Sequence, residues 1–134
     1  DILKIFDRNL LHSPTNKLYD SKIIKERNLS FSTDINLGED LLFNIEYIKS
    51  SEINEYKILN NILYIYQHDD TNSLSLKYNE NYFIIQKLLF NSMHELIKNV
   101  IVNDSDWEIY FQWYWSACYL ALKENMKISN PISF

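Results

Sequence analysis

The spacing of hydrophobic and polar residues changes period twice along this chain of 134 residues. Leu29, Phe31, Thr33 and Ile35 alternate with Ser30, Ser32 and Asp34. After the loop Asn36-Leu37-Gly38-Glu39-Asp40, Leu41, Phe43, Ile45 and Tyr47 alternate with Leu42, Asn44 and Glu46. A period of two puts successive side chains on opposite faces of a strand. Two such runs joined by a short loop that holds the only glycine predict a β-hairpin, with Gly38 at positive φ. Residues 52–66 fit two drawings. As a helix, Ile58, Ile62 and Ile65 form a stripe beside Leu59, Leu63 and Tyr66. As a hairpin, Tyr56–Leu59 and Ile62–Tyr66 flank an Asn60-Asn61 turn. The hairpin is preferred, because Asn tolerates positive φ and the flanks are rich in Ile and Tyr. Ser73–Tyr78, alternating after the polar loop 67–72, adds a further strand.

From about Tyr82 to Val102 the period becomes helical, with Ile85, Leu88, Leu89, Ser92, Leu96 and Val100 recurring on one stripe and Met93 and Ile97 beside it. Asn103-Asp104 then leads into Ser105–Lys123, a second helix. Ser105 with Glu108 reads as a capping box, Asp104 and Asp106 complement the positive end of the helix dipole, and Lys123 and Lys127 the negative end. Trp107, Tyr110, Phe111, Tyr114, Cys118 and Ala121 line one face of this helix, Trp113, Ala117 and Leu120 a second, Trp115, Tyr119 and Leu122 a third. Gln112 and Ser116 are the only interior polar interruptions, beyond the first turn that holds Glu108. A helix that is apolar on nearly every side is expected to be covered on nearly every side, as the centre of the core, with one aromatic edge left for a partner. Trp107–Leu122 is too short for a bilayer, which needs ~20 apolar residues. The two helices, joined so tightly, are expected to run antiparallel. The predicted fold is α+β, one domain over residues 1–134, an antiparallel β-meander followed by two long C-terminal helices; the alternative is an all-α bundle. Residues 1–27 stay unassigned apart from the turn around His12-Ser13-Pro14.

Composition narrows the function classes. The chain is 46% hydrophobic, with ten Tyr, seven Phe and three Trp, yet it has one Gly and two Pro. Heavy use of Asn, Ile, Lys and Tyr matches an AT-rich coding sequence. One cysteine allows no disulfide within the chain, and no signal peptide is read in it, so a reducing, cytoplasmic setting is expected. The net charge of −5 is uneven: residues 1–28 carry six Lys/Arg against four Asp/Glu, and the remainder seven against fourteen. An acidic body without a basic cluster argues against nucleic-acid binding and suits a basic protein partner.

Candidate chemistry is sparse. One glycine supplies neither a P-loop nor a dinucleotide-binding loop, and one cysteine with three scattered histidines gives no zinc pattern. Cys118, between Ala117 and Tyr119, reads as a small apolar filler. His68-Asp69-Asp70 together with His94-Glu95 is the one grouping that resembles a metal or acid–base site. Asp is also a favoured turn residue, however, and adjacent helix residues such as His94 and Glu95 point in different directions. No catalytic residue, metal ligand or cofactor is therefore assigned. The carboxylates Glu39, Asp40, Glu52, Glu55, Asp69, Asp70, Asp104 and Asp106, expected on loops and helix starts, are the predicted partner-binding set.

In whole-chain character, small, acidic, AT-rich and without catalytic motifs, the sequence resembles the immunity proteins of bacterial contact-dependent growth inhibition and related polymorphic toxin systems. It matches no signature motif, so no residue role is carried over. The resemblance implies a cognate basic toxin domain, often a nuclease, whose active site is covered by acidic and aromatic side chains, and a free protein that is a monomer or weak homodimer. Two other functions remain open: a small metal-dependent hydrolase using His68, Asp69, Asp70 and His94 or Glu95, and a structural subunit that self-associates through its last helix.

Overall fold

A computed structural model describes residues 2–51, 56–59, 61–62, 64–65 and 78–126. These form five helices: α1 (Ile2–Asp7), α2 (Ser21–Glu26), α3 (Glu39–Ser51), α4 (Tyr82–Ile97) and α5 (Asp104–Asn125). No strand occurs among the described residues, so the predicted β-meander is overturned, and a helical bundle accommodates them.

The reason lies in α3. Leu41 and Ile45 are buried in the main core, while Phe43 and Tyr47, on the opposite side of the helix, are buried against Tyr19; Phe31 stacks on Phe43 with ring centroids 4.4 Å apart. Two residues along a helix turn through about 200°, so a helix buried on two opposite sides repeats its apolar residues every second position, as a strand does. Gly38 has the expected positive φ, +82°, but it starts a helix rather than a hairpin loop: its carbonyl accepts from Leu42 N–H. Leu29–Ile35 is irregular. Tyr56–Leu59, Ile62, Tyr64 and Ile65 form no strand either, whereas Asn60 and most of the predicted strand Ser73–Tyr78 lie outside the described residues.

With one glycine available, asparagine takes the left-handed positions that end the short helices. Asn9 (φ 55°) follows α1 and Asn28 (φ 51°) follows α2, and in each case the next residue's N–H reaches back five residues, Leu10 to Ile5 and Leu29 to Ile24. The segment between them is tied down by side chains. The Lys17 ammonium donates to the carbonyls of Leu10 and Ser13 and to Asn16 Oδ1, and Tyr47 Oη accepts from Asp20 N–H at 2.8 Å.

α4 ends at Ile97, earlier than its pattern suggests, in a turn closed by Val100 and Ile101 N–H on the Ile97 carbonyl. Its buried row is Ile85, Leu89, Met93 and Ile97, one step round from the predicted stripe, with Leu88 left exposed. α4 and α5 run antiparallel as expected: His94 pairs with Tyr110, Phe90 with Trp113 and Tyr114, and Asn79, just before α4, with Glu124 near the end of α5. One core joins Leu3, Phe6 and Leu11 to Leu41 and Ile45, the α4 row and Tyr110. No helix among the described residues is long and apolar enough to cross a membrane.

Candidate functional site

α5 presents one face to the core and the other to solvent. Its cap sits two residues earlier than predicted: Asn103 Oδ1 accepts from Asp106 N–H at 3.0 Å, and Asp106 Oδ2 accepts from Val102 N–H at 3.0 Å, while Ser105 Oγ lies 2.6 Å from the same Asn103 oxygen. The buried face is Tyr110, Ala117, Ala121 and Glu124, with Trp113 and Ile109 packed partly against the core. The expectation that α5 is covered on nearly every side fails. Trp107, Phe111, Trp115, Tyr119 and Leu122 are all exposed, Trp115 to 67%, Tyr119 to 63% and Leu122 to 67%. The chain's only two alanines lie on the covered side, where a small side chain lets a neighbouring helix approach; Trp107, Phe111, Trp115 and Tyr119 are left on the other.

The seam between α4 and α5 fixes that orientation. Phe90 stacks on Trp113 at 5.3 Å with the rings 10° from parallel, and packs on Tyr110 and Tyr114. Across it, His94 Nδ1 and Tyr110 Oη lie 2.8 Å apart, and burial raises the Tyr110 phenol above its ordinary pKa, which keeps the hydroxyl protonated. Phe6 from α1 meets Trp113 edge-on at 5.2 Å. Trp113 is thus held by rings from two helices while Trp115, two positions on, is held by far less.

On the outer side, two rows spaced by four residues run along α5. Trp107, Phe111 and Trp115 form an aromatic row, and Asp104, Glu108, Gln112 and Ser116 an acidic and polar row beside it; together they line a shallow, mainly apolar groove. Trp107 and Phe111 are stacked, with centroids 5.6 Å apart. Gln112 and Ser116 also border a second cleft, of about 810 Å³, between α5, α1, α4 and the start of α3. Asp7, His12, Glu39 and Asp40 lie around that cleft. Burial raises the Asp40 carboxyl and the neighbouring Glu39 reinforces the shift, against the opposing pull of Lys17. Lys17 is lowered to about 8, chiefly by burial. His12 is lowered too, again chiefly by burial, and its Nδ1 is buried with no hydrogen-bond partner among the described residues.

The predicted acidic residues therefore separate. Asp104 and Asp106 occupy the first turn of α5, where Asp106 is partly engaged in capping. Glu39 and Asp40 occupy the first turn of α3, half-buried rather than on an open loop. Glu52, Glu55, Asp69, Asp70 and His68 lie outside the described residues. Of the second catalytic-looking pair, His94 turns inward to Tyr110 and Glu95 pairs with Lys98 at 2.5 Å, so the two point apart. Cys118 is half-buried, and its neighbourhood raises the Tyr114 phenol above its ordinary pKa. Among the described residues no group of three or more His, Cys, Asp and Glu converges as metal ligands would. An aromatic edge left for a partner is expected from the sequence, but not which rings form it; Ala117 and Ala121, seven and eleven residues after Tyr110, are the signal that shows which side of α5 is covered. Compared with known protein families, curated proteins and solved structures, the chain matches none.

Proposed function

We propose that this is an acidic binding protein that neutralises a basic partner, a cognate toxin domain with nuclease activity, by covering its active site. The observation that carries this reading is the outer face of α5, where three large rings stand uncovered beside Asp104 and Glu108. Soluble monomers rarely leave a contiguous aromatic surface of this kind without a use for it, and Trp and Tyr are the commonest energetic anchors of protein interfaces. An acidic body would speed encounter with a basic surface, and burial of the rings would slow dissociation. The single cysteine suits a cytoplasmic setting.

The test is co-purification with the product of any toxin-domain gene next to its own. A stoichiometric complex that abolishes the toxin's activity, with association slowed by added salt, is the expected result. No complex with that toxin, or a complex whose association is indifferent to salt, would overturn the reading.

A further inference from the structure

We infer that the outer face of α5 is an arginine-reading surface: Trp107, Phe111 and Trp115 stack guanidinium groups presented by a basic segment of the partner, while Asp104 and Glu108 receive their N–H groups. The inference rests on the proposed basic-partner reading and names the element that does the docking.

Three features of the face point to this occupant. The first is register. Each carboxylate of the acidic row stands three residues from a ring of the aromatic row, Asp104 from Trp107 and Glu108 from Phe111, so ring and carboxylate are neighbours on the helix surface. The second is charge. From Asp104 to Leu122, α5 carries Asp104, Asp106 and Glu108 and no Lys or Arg, and neither Asp104 nor Glu108 forms an ion pair or side-chain hydrogen bond among the described residues. The positive end of the helix dipole amounts to roughly half a charge, so three carboxylates leave the first two turns negative overall. The third is shape. The groove is shallow and mainly apolar, which suits a flat group that can lie on a ring and still donate sideways.

Arginine meets all three conditions and lysine does not. A guanidinium is planar, weakly hydrated and able to fork onto a carboxylate while its face rests on an indole. An ammonium is also drawn to a ring face, but it is compact and strongly hydrated and cannot lie flat on an indole while forking onto a carboxylate, so it gains less. A second copy of this chain would bring the same negative charge to the face, which disfavours self-docking.

The test uses the full chain and two peptides of equal charge, nona-arginine and nona-lysine, titrated against tryptophan fluorescence and calorimetry. Nona-arginine is expected to bind about fivefold or more tighter than nona-lysine. Trp115→Ala and Phe111→Ala should each weaken the arginine peptide by about tenfold and the lysine peptide by about threefold or less. Glu108→Gln should weaken both, and Glu46→Gln, on α3, neither. Equal affinity for the two peptides would overturn the inference, as would unchanged arginine binding by the two ring variants. So would sedimentation of the free chain as a dimer that Trp115→Ala dissolves, since the face would then belong to a second copy. A toxin complex that forms undiminished with both ring variants overturns this face and leaves the inhibitory reading standing. Selective arginine binding without any toxin complex supports the face and overturns the reading beneath it.

Discussion

The side-chain amide of Asn44 donates to the backbone carbonyl of Leu11, 33 residues earlier, and so pins the irregular segment after α1 to the middle of α3. The same side chain's oxygen accepts from the Tyr19 hydroxyl, and Asn44 is only 1% exposed. Burial raises the Tyr19 phenol to about 12, with Asp40 and Tyr47 adding to the shift, so it stays a donor throughout the neutral range.

Replacing Asn44 by Ala removes one donor and one acceptor and leaves the Leu11 carbonyl and Tyr19 hydroxyl without them. The expected cost is about 2–4 kcal/mol, since a buried group deprived of its partner loses roughly 1–3 kcal/mol. Urea unfolding monitored by tryptophan fluorescence measures it. A loss within ~0.5 kcal/mol would mean that Asn44 is not holding this segment.

Gly38→Ala is expected to destabilise by about 1–3 kcal/mol. Its φ of +82° is unfavourable for any side chain, and an added Cβ would stand 2.4 Å from Leu89 Cδ1, well inside contact distance. Combining it with Leu89→Ala should recover the steric part and leave the backbone part, a coupling that a double-mutant cycle isolates.

Truncations along α4 and α5 should divide by face. Ile97, fully buried, is expected to cost about 2–4 kcal/mol on change to Ala, from lost burial and the cavity left behind. Trp115→Ala and Tyr119→Ala should each stay within ~0.5 kcal/mol of wild type. Losses of ~3 kcal/mol at Trp115 would show that the ring is covered in solution.

His12 gives a pH dependence of known sign. Burial lowers its folded pKa below the ordinary value of 6.5, so in the window between that lowered value and 6.5 the unfolded chain binds more protons. Stability therefore falls as pH drops through this window. His12→Phe keeps the ring beside Phe6, with which His12 stacks at 6.3 Å, and removes both the titrating group and a buried unpartnered nitrogen. The variant should match or exceed wild type at neutral pH and lose stability less steeply on acidification, as thermal melts between pH 5 and 7 would show. An unchanged slope would assign the acid response to other groups.

The two long helices, their antiparallel pairing and the left-handed glycine were legible from local pattern, because i to i+4 repeats, dipole-matched charges and the one residue without a Cβ act through neighbours in the chain. The acidic aromatic composition that motivates the binding reading was legible too, whereas only the placement of Ala117 and Ala121 hinted at which rings of α5 would be left uncovered. That depended on where Phe90, His94 and Phe6 meet Trp113 and Tyr110, contacts made across 16 to 107 positions of chain. α3 shows the same limit most clearly. Leu41, Phe43, Ile45 and Tyr47 alternate as a strand would, and only the arrival of α4 on one side and the Tyr19 loop on the other turns a period of two into a helix buried on opposite faces. Periodicity reports how many sides of an element meet neighbours; the neighbours themselves decide which backbone satisfies it.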